Sequence, residues 1–371
     1  MEDGIISMAQ GERQVGEGSD QFVTSDVFGD IFGRVDGATL AKLSSVNTQF
    51  RTAAVDEAHW ENLCNQRWPS TKQAAVKRLI SSAGGFRKFY SNCFPFITPR
   101  HGQVKHYEES ASATDFISLV DVACNGEVVL SRVVDGINGA EALCGPLVDV
   151  VDTTWEGDYG VPMNPEEDGP LVSIDTKHLP LTPERSNRQR LWRTLRNQMR
   201  VSWILIHKKT HQMVNLSSWK PLTGMRHCGY GDDDILLCFG TILPNPSSTP
   251  VLCNILMRCK TFELEEKELH PETPAMTIVK VTELGFTLEA GDGVHFLRRQ
   301  EAVDVFSHAM TCHKTIDHSK VANIYHDFIA TQKSNREALI RRESHRQTAI
   351  AICFVGCIVY ILICFCYKQS F

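Results

Sequence analysis

Positive charge is in short supply: 38 lysines and arginines face 44 aspartates and glutamates, for a formal charge of −6. That balance excludes a chain-wide attraction to nucleic acid, because phosphate binders carry a basic excess. No Cys-x-x-Cys pair occurs among the thirteen cysteines. Their odd number and scattered spacing read as reduced thiols rather than a disulfide framework. A Gly-rich phosphate loop, a nucleophile elbow and a zinc-protease motif are all missing, so no catalytic residue, cofactor or metal site is expected. Residues 1–20 have neither the basic nor the apolar part of a secretory signal, and their Gly, Gln, Glu and Asp content predicts disorder.

Apolar residues make up 42% and charged residues 22% of the 371, which suits roughly two ordinary globular domains. Near the start, apolar residues recur at helical spacing. Val27, Phe28, Ile31, Phe32 and Val35 form a stripe on a first helix that ends before Gly37. Leu40, Ala41 and Leu43 mark a second, Asn47 caps a third carrying Phe50, and Asp56 caps a fourth carrying Trp60, Leu63 and Cys64. Four short helices cannot bury so many large side chains among themselves, so a neighbour or partner is expected to complete the core. Residues 71–83 continue as a helix ended by Gly84-Gly85, and Phe86, Phe89, Tyr90 and Phe94 follow as an aromatic packing cluster.

The run Asp26-Val27-Phe28, Ile31-Phe32, Arg34-Val35, then Leu40, Val46, Phe50-Arg51 and Trp60, resembles an F-box. Asp36-Gly37-Ala38-Thr39-Leu40, Trp60-Glu61-Asn62-Leu63-Cys64, Arg67-Trp68-Pro69-Ser70 and the segment from Ser81 to Phe89 resemble, more narrowly, a family of plant F-box proteins. The resemblance implies docking on a Skp-type adaptor, and through it on a cullin, by Val23, Val27, Phe28, Ile31, Phe32, Leu40, Leu43, Val46, Phe50 and Trp60. Val23-Thr24 stands where that family usually has Leu-Pro.

Beyond Pro99 the pattern becomes strand-like. Runs at 116–122, 126–134, 201–207, 212–216, 235–243, 251–259, 277–284 and 294–297, joined by polar turns, predict an antiparallel sheet or sandwich. The Pro-, Gly- and acid-rich stretch 152–183 reads as a loop. The segments Arg200 to Ile206 and Val214 to Leu222 again resemble the plant family, and an F-box followed by Trp-x-x-Ile is more distantly similar to phloem-lectin-like F-box proteins. That second likeness implies sugar stacking on Trp203 or Trp219, while an indole in an apolar strand by itself predicts core packing.

One basic patch stands out. A helix opened by Thr182-Pro183 carries Arg185, Arg188, Arg190, Arg193, Arg196 and Arg200, with Leu191, Leu195 and Met199 on the opposite face. It reads chiefly as a solvated face, with Arg188, Arg193 and Arg196 as candidates for holding a partner. His308, Cys312, His313 and His318 lack a metal-site spacing and read as structural.

Residues 300–312 and 320–346 read as helices, the second as a polar stalk. Thr348 to Tyr367 is then free of charge over twenty residues, about 30 Å of helix, which predicts a membrane span. Arg341, Arg342 and Arg346 before it, against Lys368 after it, predict cytosolic N-terminal domains and a tail anchor in the endoplasmic reticulum or another organelle membrane. The expected architecture is α+β: a disordered 1–20, an F-box at 21–68, a helical extension at 69–97, a β-rich target-binding domain at 98–299, a helical stalk at 300–347 and a single transmembrane helix at 348–367. The expected role is that of a non-catalytic substrate receptor in a ubiquitin ligase. An interaction or lectin-like module that engages no ligase is the alternative.

Overall fold

The computed structural model describes residues 29, 31–99, 111–137, 171–175, 191, 193–226, 234–245, 249–263, 276–293, 295–297 and 299–369. Its architecture is α+β. Among the described residues five bounded helices come before the strands: α1 (Gly37–Leu43), α2 (Thr48–Val55), α3 (Glu57–Arg67), α4 (Ala74–Ser82) and α5 (Gly85–Cys93), with a 3-10 turn at Pro69–Lys72 between α3 and α4. Each of the first three starts where a short polar side chain can cap it. Asp36 accepts the N–H groups of Ala38 and Thr39, Asn47 that of Phe50, and Asp56 that of Ala58. Gly37 therefore opens α1 rather than trailing the preceding helical residues 31–32.

The strands follow: β1 (Phe96–Ile97), β2 (Phe116–Cys124), β3 (Glu127–Asp135), β4 (Leu171–Asp175), β5 (Met199–His207), β6 (Met213–Asn215), β7 (Thr223–Arg226), β8 (Asp234–Leu243), β9 (Val251–Glu263) and β10 (Met276–Glu289). Helix α6 (Arg299–Ala309), the short β11 (Lys314–Thr315) and the 52-residue α7 (His318–Gln369) complete the chain. One antiparallel sheet runs β3-β2-β5-β6 and a second runs β4-β10-β9-β8-β7. The β2–β3 hairpin turns on Asn125 and Gly126, both at positive φ as a two-residue I′ turn demands.

Strand parity sorts the side chains into layers. Phe116, Val120 and Val122 of β2 and Val201, Trp203 and Leu205 of β5 point toward Leu237, Phe239, Ile255 and Met257 of the second sheet, forming one sandwich core. A bulge between Val281 and Glu283 switches β10 from odd to even inward positions, so Val279 and Val281, then Leu284, Phe286 and Leu288, all reach that core. Trp203 stands edge-on to Phe286 at 5.0 Å, and Phe286 to Phe306 of α6 at 5.5 Å. Trp203 is thus a core residue and not a sugar platform.

Both outer faces are covered. Leu119, Ile204, Ile206 and Met213 of the first sheet join Phe32, Leu40, Trp60, Trp68, Ile80 and Phe89 in a second core, so the helical module completes itself on the sandwich. On the far side, Leu236, Cys238, Ile242, Leu252 and Leu256 receive Tyr325, Ile324, Phe328 and Ile329 of α7. The order is helices, sheet, sheet, helix.

Three strand expectations fall differently. β4 lies inside the Pro-, Gly- and acid-rich stretch expected to be a loop, β7 adds a strand outside the expected runs, and the described residues 295–297 supply an isolated bridge from Phe296 to Glu289. The stalk is half a stalk: α7 packs on the sheet through Gln332, and its surface is exposed from Lys333 to Ile358. Among the described residues, no helix is long and apolar enough to cross a membrane. The segment 348–367 belongs to α7, but the side chains beyond Ile358 lie outside the described residues, as do residues 1–20. Asn215 is buried, and its side-chain carbonyl accepts the N–H groups of Trp203 and Ser217.

Candidate functional site

The candidate adaptor-docking residues separate into two groups. Ile31 and Val46 are 49% and 62% exposed, unusual for branched aliphatic side chains on a module with a filled core, and Leu43 and Phe50 are half-buried beside them. Phe32, Leu40 and Trp60 face inward, at 2%, 0% and 3% exposure. Phe32 meets Phe50 edge-on at 5.6 Å, and the Trp60 indole N–H donates to the Ala54 carbonyl at 2.8 Å. These three hold the module together and present no surface in the chain alone. Val23, Val27 and Phe28 lie outside the described residues.

Polar contacts seat this module on the sandwich. Trp68, fully buried at the end of α3, donates its indole N–H to Ser202 Oγ of β5 at 2.9 Å. Asp121 of β2 accepts the Ser70 N–H at 2.9 Å, the Ser70 hydroxyl at 2.6 Å and the Ser131 hydroxyl at 2.7 Å. Burial raises the Asp121 pKa, and the hydrogen bonds from Ser131 and Ser70 oppose that rise. On α3 the Glu57 carboxylate accepts the Phe86 N–H at 2.7 Å, tying α3 to α5.

Arg67 sits at the same junction, its guanidinium 3.8 Å from the centre of the Trp219 ring and 4.7 Å from that of Phe94. Burial lowers its pKa to about 10. Trp219 lies at φ +69, a backbone region that bulky residues rarely occupy. The surrounding loop holds it there: the Ser217 hydroxyl accepts the Trp219 N–H at 3.0 Å, and the Trp219 carbonyl accepts the Val201 N–H at 3.2 Å.

Of the basic patch, Arg193 and Arg196 are exposed on the helical residues 193–198 while Leu191 and Leu195 are buried, as the spacing predicts. Arg188 lies outside the described residues. Met199 and Arg200 belong to β5 rather than to the helix. Sequence reasoning gives Arg67 and Lys220 no binding role and reads His318 as structural; a left-handed Trp and a cation between aromatic rings leave no pattern in sequence.

Among the described residues, no group of three or more His, Cys, Asp or Glu is placed to hold a metal ion. Burial pushes the thiols of Cys93 and Cys312 up to about 12 and that of Cys238 to about 11, and raises Cys64 and Cys253 further, so these are inert packing residues.

No family model matches the chain, and no solved structure matches it. Curated relatives do. The F-box protein At3g44326 of Arabidopsis thaliana is 27% identical over 278 residues, covering 73% of this chain and 68% of the relative. The F-box protein At2g27310 is 26% identical over 211 residues, covering 55% and 56% respectively. The Probable F-box protein At2g36090 is 26% identical over 199 residues, covering 53% and 52%, so the last two matches span about half of each relative. The chain is thus similar, at 26–27% identity, to three Arabidopsis proteins that carry the F-box name.

Proposed function

We propose that this chain is the substrate-recruiting subunit of a Skp–cullin-type ubiquitin ligase. One observation carries the reading: Ile31 and Val46 remain outward on a helical module whose core is already closed against the sandwich. The adaptor is the occupant that the F-box resemblance suggests for them, with Leu43 and Phe50 at the edge of the contact. The sandwich presents the target, and catalysis belongs to the conjugating enzyme. The receptor's contribution is proximity: a target held in a fixed orientation beside the reactive thioester experiences a raised effective concentration. Ile31→Asp with Val46→Asp is expected to abolish co-purification of the adaptor while leaving thermal unfolding near that of wild type, since both positions are exposed. Capture undiminished by the double substitution would remove the reading.

The second half of the proposal is a membrane address. Ile350, Ile352, Phe354, Val355 and Ile358 of α7 are each at least half exposed, in a stretch without charge from Thr348 to Tyr367. Exposed apolar side chains at 350–358 are suited to lipid, and the arginines at 341, 342 and 346 would keep the domains on the cytosolic side. Full-length chain is expected to resist extraction by alkaline carbonate, and chain ending at Gln347 to be released. Release of both would discard the anchor.

A further inference from the structure

We propose that the corner formed by Arg67, Arg200, Lys220 and His318 binds a phosphoryl group. These residues come from four parts of the chain: the end of α3, the second position of β5, the loop after β6 and the first turn of α7. Trp219 brings them together. Its ring covers Arg67, its carbonyl accepts the N–H of Val201 beside Arg200, and it immediately precedes Lys220.

Three observations converge on an anionic ligand. Two nitrogens here are orphans: Arg67 Nε and His318 Nε2 are both closed off from solvent without a hydrogen-bond partner. A buried guanidinium is costly unless paired, and aromatic faces offset only part of that cost. The second observation is the sign of the charge. Among the described residues, the guanidinium of Arg200 donates to the Met199 carbonyl at 2.7 Å, and the charged side chains acting on His318 are Lys220, Arg200 and Arg196. Among the described residues no carboxylate acts on Arg67 or Arg200, and Asp317, next to His318 in the chain, is committed to capping α7 through the N–H groups of Ser319 and Lys320. The third is the left-handed backbone of Trp219, held by the Ser217 and Val201 hydrogen bonds. Strain of this kind persists where a side chain must be aimed, and here it is aimed at Arg67.

Several cations around one point favour a doubly charged group with three acceptor oxygens over a single carboxylate. Such a group is carried by a phosphorylated protein side chain or by a free phosphate compound. The site shares no residue with the docking positions Ile31 and Val46, so its test does not depend on adaptor capture.

The test is calorimetric titration of the detergent-solubilised full chain with inorganic phosphate, and with a phosphoserine peptide beside its unphosphorylated twin, at matched chloride. Saturable phosphate binding is expected, weakened about tenfold in Arg200→Gln and several-fold in Lys220→Gln. Lys220 is exposed, so that variant keeps its unfolding midpoint. A phosphopeptide that outcompetes free phosphate identifies a modified protein as the source, and equal strength identifies a small phosphate compound. Absence of saturable binding to either probe, or binding unchanged in both variants, overturns the site.

Discussion

Trp68→Ala is expected to lower the unfolding free energy by about 3–5 kcal/mol, among the largest costs of any single substitution in the chain. Trp68 is fully buried where the helical module meets the first sheet, edge-on to Phe89 at 5.5 Å and within 5.6 Å of Tyr90. Alanine there opens a cavity shared by two layers and leaves Ser202 Oγ without its indole donor. The neighbouring Asp121 network then has to hold the contact alone, through Ser70 and Ser131. The expected signature is a lower urea midpoint together with new proteolytic cleavage between α5 and β2. Trp68→Phe retains most of the volume and loses the donor, so it should cost less. If alanine proves as mild as a surface change, the helices and the sandwich are not one cooperative unit.

Tyr325→Ala is the counterpart on the opposite face, with an expected loss of about 3–5 kcal/mol. The ring lies over Gly240 of β8, where a Cβ would collide with it, and its hydroxyl donates to Asn254 Oδ1 at 2.9 Å beside Cys238 Sγ at 3.3 Å. Tyr325→Phe keeps the packing and removes the hydroxyl's bond to the Asn254 side-chain carbonyl, which still accepts from the Cys238 thiol at 3.2 Å, so about 0.5–1.5 kcal/mol of the loss belongs to the hydroxyl. Loosening this contact frees the first turns of α7, and hydrogen exchange across residues 318–332 should accelerate in both variants, more so in alanine. Unchanged exchange there would mean that the rest of the helix seam, not Tyr325, holds α7 down.

Much of this arrangement is legible in the chain. The caps at Asn47 and Asp56 are short polar side chains in front of apolar helical spacing, and both act as caps. Strands β2, β3, β5, β8 and β9 carry long apolar or alternating runs, so their presence is readable even where their ends shift. β4 is hidden because it is five residues embedded in a Pro-, Gly- and acid-rich stretch, and its strand character comes from pairing with β10. β7 is four residues long, Thr-Gly-Met-Arg, with no periodicity to detect. The docking stripe shows a different limit. Helical spacing reports that Ile31, Phe32, Leu40 and Trp60 are apolar, but whether each looks toward the chain's own sheet or toward a partner depends on a tertiary contact. Phe32→Asp would therefore test folding, whereas Ile31→Asp tests docking.

The phosphoryl corner was illegible for a stronger reason: its residues are separated by as many as 251 positions, from Arg67 to His318, and converge only through the left-handed turn at Trp219. Its position beside the Trp68 and Asp121 seam gives the chain two distinct faces, one apolar at Ile31 and Val46 and one cationic at Arg200 and Lys220. On the proposed reading the first meets the adaptor and the second meets a ligand, with a rigid junction between them.

The most direct measurement is hydrogen exchange on the full chain, free and saturated with a Skp-type adaptor. The account predicts slowed exchange in residues 31–35 and 44–51, around Ile31, Val46 and Phe50, with the α3–α5 face that already rests on the sandwich unchanged. No slowing anywhere, or slowing confined to the sandwich, would contradict docking through this module.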